Sequence, residues 1–148
     1  MAAPTSSPLT EQKTVATSGP SLRFLGILVL VMFLLTSAVG GSLGLESSYL
    51  PITLASHIGL ALVTLAIAGY ATSFVGRYYR ALPRVFAAIA ALAALGATIA
   101  GTVFLLGGQS DTSLYAMEGF AVLGIIAALV MVAAGGPSAK RATASPVP

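Results

Sequence analysis

Four long apolar segments dominate this sequence and decide what it can fold into. They lie near Phe24–Gly41, Pro51–Val75, Val85–Leu106 and Ser113–Ala134. A helix needs roughly 20 residues to cross a hydrocarbon core of about 30 Å, and each segment is close to that length or exceeds it. Backbone groups in lipid must bond internally, and the segments lack the period-two alternation of β-barrel strands. We therefore predict four transmembrane helices.

The composition supports a membrane protein and excludes several kinds of chemistry. Hydrophobic residues make up 57% of the chain and charged residues only 7%, whereas soluble domains carry about a quarter charged residues. The absence of cysteine excludes disulfides, thiolate metal sites and covalent attachment of a c-type heme. With one His and four acidic residues, a metal site built from several protein ligands is not expected. No nucleophile–base pair or carboxylate dyad is visible, so the sequence does not favour an enzyme.

All seven basic residues are predicted to lie on one side of the membrane. They occur in the N-terminal segment, in the loop "GRYYRALPR" and in the C-terminal segment: Lys13, Arg23, Arg77, Arg80, Arg84, Lys140 and Arg141. Because Lys and Arg mark cytoplasmic loops, both termini are predicted to be cytoplasmic, with Glu46 and Asp111 in outward-facing loops. The net charge of +3 therefore reflects topology and contact with membrane lipid rather than a nucleic-acid partner.

Short connections make consecutive helices antiparallel neighbours, so we predict an all-α four-helix bundle over residues 23–135. Residues 1–22 are rich in Pro, Ser, Thr and Ala without apolar periodicity, and they are predicted to form a flexible cytoplasmic tail, as are residues 136–148. Small residues on nearly every face of the third helix allow close backbone approach. We expect the chain in a prokaryotic plasma membrane, as a homo-oligomer or part of a larger membrane complex.

The only histidine, His57, lies about two turns into the second apolar segment. Steps of three and four residues place it on one helical face with Ala61, Thr64, Ala68 and Ala71, opposite a bulky face. Small residues face partner helices, so His57 is predicted to point into the bundle. An ionisable residue inside a membrane span indicates a function. The alternative is a neutral imidazole bonded to a carbonyl group or to one of the local hydroxyls of Thr53, Ser56 and Thr64.

Met117 is predicted to lie at the same depth in the fourth helix, which runs in the same direction as the second. The residues on the same helical face, which we call its stripe, are mostly small and are predicted to face inward: Met117, Ala121, Gly124, Ala128 and Met131. His and Met form a recognised axial pair for heme iron, and the small stripes leave room for a flat macrocycle. The alternative role for Met117 is a flexible gap-filler. Glu118 begins a bulkier stripe and is expected to reach toward the headgroups.

The spacing of these residues suggests an internal repeat of a helical hairpin. Gly41 precedes His57 by the same number of residues as Gly101 precedes Met117. Some membrane folds consist of two such copies. Ala and Gly are so common in this chain that a chance match is the alternative explanation.

Together these features resemble one four-helix half of the heme A synthase family. The first helix ends in glycine, His57 lies near the outer end of the second helix, and an Arg-bearing inner loop precedes a Gly-containing third helix. The resemblance covers about residues 24–134 and implies a heme ligand at His57 and pairing of two halves. Family members have a second His where Met117 stands and a Glu where Thr53 stands. The outer-loop cysteines of many members are absent.

The sequence therefore predicts a small heme-binding membrane protein for electron transfer or respiratory oxidase support. The expected cofactor is heme b, with His57 and Met117 as its binding residues and iron ligands; two protomers that share a heme through both His57 side chains are an alternative. The alternative function is a non-catalytic scaffold or accessory subunit of a membrane complex. A small transporter is a third possibility, for which midplane polar groups are limited to Thr64 and Thr98.

Overall fold

The computed structural model describes residues 20–45, 51–79, 81–107 and 110–135, and this part of the chain forms four helices. They are α1 (Leu22–Leu45), α2 (Pro51–Tyr78), α3 (Ala81–Leu106) and α4 (Asp111–Ala134). All four are long and apolar enough to cross a membrane. The predicted all-α membrane bundle is confirmed, and the chain is an integral multi-pass membrane protein. Residues 1–19 and 136–148 of the predicted tails, together with Glu46, lie outside the described residues.

The helices extend beyond the apolar segments that predicted them. Leu22, placed in the tail by the sequence, is buried and begins α1. Asp111, expected in a loop, begins α4, and Ser110 caps that helix by accepting a hydrogen bond from the Ser113 amide at 3.4 Å. The helix α1 is longer than its predicted segment at both ends, and α2, α3 and α4 are each longer at one end. Helix boundaries depend on backbone hydrogen bonding, which continues beyond the most apolar residues. A carboxylate in the first turn of α4 also interacts favourably with the helix dipole.

The helices pack in cyclic order around the bundle axis. The substantial interfaces join α1 to α2, α2 to α3, α3 to α4, and α4 back to α1, so α2 and α4 lie on a diagonal. The start of α1 and the end of α4 meet closely, because a Cβ added at Gly135 would lie 2.5 Å from the Arg23 amide nitrogen. Both described chain ends therefore leave the bundle at the same end.

Packing divides the bundle into two halves along its axis. We call the half next to the chain ends, up to the level of Phe33 and Gly124, the closed half, and the remainder the open half. The largest fully buried side chains all belong to the closed half: Leu25, Val29, Val75 and Met131. Small residues bring the helices together there, since a Cβ at Gly26 would lie 2.8 Å from the Val132 amide nitrogen.

Hydroxyl groups bond the helices to one another within the apolar bundle. The Tyr79 hydroxyl accepts a hydrogen bond from the Leu22 amide at 3.0 Å, which joins the end of α2 to the start of α1. The Thr36 and Thr64 hydroxyls are 2.9 Å apart and link α1 to α2 near the middle of the bundle. Thr72 donates to the Ala87 carbonyl of α3 at 2.8 Å. Polar groups that are bonded in this way avoid the cost of unsatisfied polarity in hydrocarbon.

Candidate ligand-binding site in the open half

The open half contains two cavities that share part of their walls. The wider one has a volume of about 640 Å³ and the narrower one about 410 Å³, within the usual range for ligand pockets. Both are bordered by side chains from all four helices, and the shared wall residues include Gly40, His57, Ala97, Thr98 and Met117. The two residues that the sequence singled out therefore line the same interior space.

The two cavities extend in opposite directions from this shared wall. The wider cavity continues between α1 and α4, where Thr36 and Val122 line it. The narrower one continues between α2 and α3, where Leu62 and Leu105 line it. Val122 is 56% exposed and Leu62 54% exposed, so each cavity reaches the surface that faces lipid. The space forms a layer between the α1–α2 hairpin and the α3–α4 hairpin, with His57 on one side and Met117 on the other.

His57 points into the bundle, as its position on α2 predicted. Thr64, Ala68 and Ala71 of the same stripe are buried, and Ala61 lines both cavities with it. The imidazole lies against Gly40 of α1, because a Cβ at that glycine would be 2.7 Å from His57 Cε1 and 3.2 Å from Nδ1. Only glycine leaves room for the ring in this position.

The imidazole of His57 has a backbone hydrogen bond to Thr36 of α1. Its Nδ1 atom is buried and has no hydrogen-bond partner in the described part of the chain. Two of the three local hydroxyls named in the structural alternative bond elsewhere: Ser56 donates to the Ile52 carbonyl at 2.8 Å and Thr64 to the Leu60 carbonyl at 2.7 Å. An unpaired buried polar atom costs on the order of 1–3 kcal/mol, and more where water has no access. A group that bonds the imidazole would remove this cost.

Met117 occupies the corresponding place in the second hairpin. A Cβ at Gly101 of α3 would lie 3.4 Å from Met117 Sδ, so the thioether lies beside a glycine as the imidazole does. Gly124, Ala128 and Met131 of its stripe are buried. The two hairpins thus share one arrangement, in which the second helix places its functional side chain beside a glycine near the distal end of the first. The glycine next to His57 is Gly40, whereas the sequence pairing used Gly41.

Sequence analysis missed several residues of this site. Glu118, expected among the headgroups, is exposed but also lines the wider cavity, together with Ser37. Val122 and Ile125, two bulky residues on the same face of α4 as Glu118, line this cavity as well. The sequence feature that could have pointed to Glu118 is its carboxylate, since an ionisable group inside a membrane span indicates a function.

Few side chains around the cavities could bind a metal ion. Within the described ranges, no three residues among His, Cys, Asp and Glu are grouped so as to hold a metal ion. An imidazole and a thioether that line the same space from two helices instead suit a metal that brings its own planar ligand. His57 and Met117 are the residues that fit such a group.

A scan against protein-family models finds no match for this chain, and searches of curated proteins and of solved structures find none either. The class of protein that the fold and the site define is a membrane four-helix bundle with a ligand-sized space between its two hairpins. The resemblance to a heme A synthase half depends on the order of its elements and stays a prediction.

Proposed function

We propose that the chain is a small heme-binding membrane protein that holds heme b between its two hairpins. His57 is the proximal iron ligand and Met117 the second ligand. Heme iron supplies one-electron chemistry, because it alternates between the ferrous and ferric states. The physiological role that follows is electron transfer or support of a respiratory oxidase in a prokaryotic plasma membrane.

One observation carries the proposal: the half-buried imidazole of His57 has a buried Nδ1 atom without a partner among the described residues, and the Met117 thioether of the diagonal helix lines the same space. A structural histidine in a bundle core is expected to have hydrogen-bond partners for its buried polar atoms. The location of His57 inside its own bundle favours Met117 as the second ligand over a His57 from another protomer. The small side chains of Ala61, Ala97 and Ala121 line the cavity and would leave room for a macrocycle between the helices.

The test is an absorption spectrum of detergent-purified protein from cells grown with ample heme. We expect a reduced-minus-oxidised heme spectrum and about one heme per chain. His57→Ala should abolish it. Met117→Leu should retain heme but change the spectrum to that of iron with one protein ligand, because leucine keeps the volume without the sulfur.

A glycine pair gives a sharper test of the geometry. Gly40→Ala places a methyl group against the His57 ring, so heme binding should fall at least tenfold. Gly41→Ala is the matched control, since none of the residues that the structure describes brings a heavy atom within 4 Å of the added Cβ, and it should bind heme normally. A heme-free wild-type protein would refute the proposal and favour the accessory-subunit function, as would a heme spectrum that survives His57→Ala.

A further inference from the structure

The charged residues around the two cavities all have the same sign. Glu118 lines the wider cavity and Asp111 the narrower one. Within the described residues no Lys or Arg lines either cavity. The described arginines lie near the closed end of the bundle, at Arg23, Arg77 and Arg84. A bound ligand in the open half therefore meets carboxylates and no compensating cation from this part of the chain.

Glu118 lies farther from the start of α4 than Asp111 does. It is two helical turns beyond Asp111, which begins α4, and this corresponds to roughly 10 Å along the helix axis. Its side chain borders the part of the wider cavity that opens between α1 and α4. Charge–charge interactions are stronger at this depth than in water, because the surroundings are apolar and exclude water.

We infer that Glu118 selects ligands by charge: it determines which charge the edge of a ligand can carry when that edge lies in the opening between α1 and α4. The opening admits an uncharged or cationic macrocycle edge and disfavours an edge that carries carboxylates. This inference rests on the proposed function, because it concerns the same space and the same class of ligand. A tetrapyrrole in the site consequently directs its carboxylates away from the α1–α4 opening, and a neutral tetrapyrrole binds with less restriction.

The physical basis is repulsion between two anions. A ligand carboxylate about 10 Å from Glu118, at an effective dielectric constant near 20, loses on the order of tenfold in affinity. The same carboxylate near Asp111 loses less, because that residue begins α4, closer to the aqueous end of the bundle, where water and salt screen the interaction. Glu118 is thus the specificity-determining residue, and Asp111 is its matched control.

The experiment compares zinc protoporphyrin with its dimethyl ester, which has the same ring and metal but no carboxylates. Dissociation constants are measured by porphyrin fluorescence with wild-type, Glu118→Gln and Asp111→Asn protein in one detergent. The two ligands partition differently into detergent, so the measured quantity is the change in their affinity ratio between variants. Glu118→Gln should strengthen binding of the diacid about tenfold and leave the ester within about twofold. Asp111→Asn should change the ratio by less than about threefold.

The outcomes separate the inference from the function on which it rests. An unchanged ratio in Glu118→Gln, or an equal gain for both ligands, overturns the inference and leaves heme binding intact. An effect of Asp111→Asn as large as that of Glu118→Gln also overturns it, because the preference would then belong to the general charge of the open half. Failure of the wild type to bind either ligand overturns the proposed function and the inference together.

Discussion

The closed and open halves of the bundle use similar residues on their inward faces but differ in what fills the space between helices. Alanines and glycines bring the helices together in both halves. In the closed half, four larger side chains occupy the remaining volume: Leu25, Val29, Val75 and Met131. In the open half the corresponding inward positions hold small residues, which include Gly40, Ala61, Ala97 and Ala121. The four larger side chains therefore account for the close packing of the closed half, whereas small inward residues without them leave a ligand-sized space in the open half.

The largest expected difference between the halves concerns two glycines of α1. Gly26→Ala should lower the free energy of unfolding by about 3 kcal/mol, because the new methyl group meets the Val132 backbone at 2.8 Å and the helices must separate. Gly41→Ala adds a methyl group that meets no neighbour within 4 Å among the described residues, so it should change stability by less than about 0.5 kcal/mol. Unfolding in mixed micelles with a denaturing detergent measures both. Equal losses would remove the distinction between a closed and an open half.

The next difference concerns two methionines of α4. Met131 is fully buried, and Met131→Ala should cost about 2 kcal/mol because the vacated volume stays unfilled. Met117 already borders a cavity, so Met117→Ala should cost below about 1 kcal/mol. The same unfolding assay, without added heme, compares them. If Met117→Ala proved the more destabilising, the open half would be packed as tightly as the closed one.

The smallest expected effect tests the boundary between the halves. Thr36→Val removes the hydroxyl that links α1 to Thr64 of α2, and interhelical bonds of this kind contribute about 0.6 kcal/mol in membrane proteins. Thr102→Val is the control, since the Thr102 hydroxyl bonds only the Thr98 carbonyl of its own helix and is exposed. Thermal unfolding in detergent should show a small loss for the first variant and none for the second. If Thr102→Val lowered the thermal stability by the same amount, the Thr36–Thr64 bond would not mark a boundary between the two halves.

The sequence predicted the helices and their inward faces because long apolar segments and stripes of small residues are local patterns. The stripes of His57 and Met117 face inward as expected. Sequence did not predict which glycine receives the imidazole, or that Glu118 borders the interior. The faces of α2 and α4 differ little in polarity, so periodicity sets no sharp boundary between core and lipid. The distance between helices, which creates the cavities, depends on packing between distant segments and leaves no local signal.

Two contacts of the first hairpin have a consequence for the order in which the molecule assembles. The Leu22–Tyr79 and Thr36–Thr64 hydrogen bonds join the first hairpin without any residue of α3 or α4. The helices α1 and α2 can therefore associate before the ribosome has made α3. The wall between α1 and α4 must wait for the last helix, whose Val132 and Gly124 meet Gly26 and Phe33. The cavities of the open half are therefore the final feature to arise during biogenesis, after the N-terminal hairpin is in place.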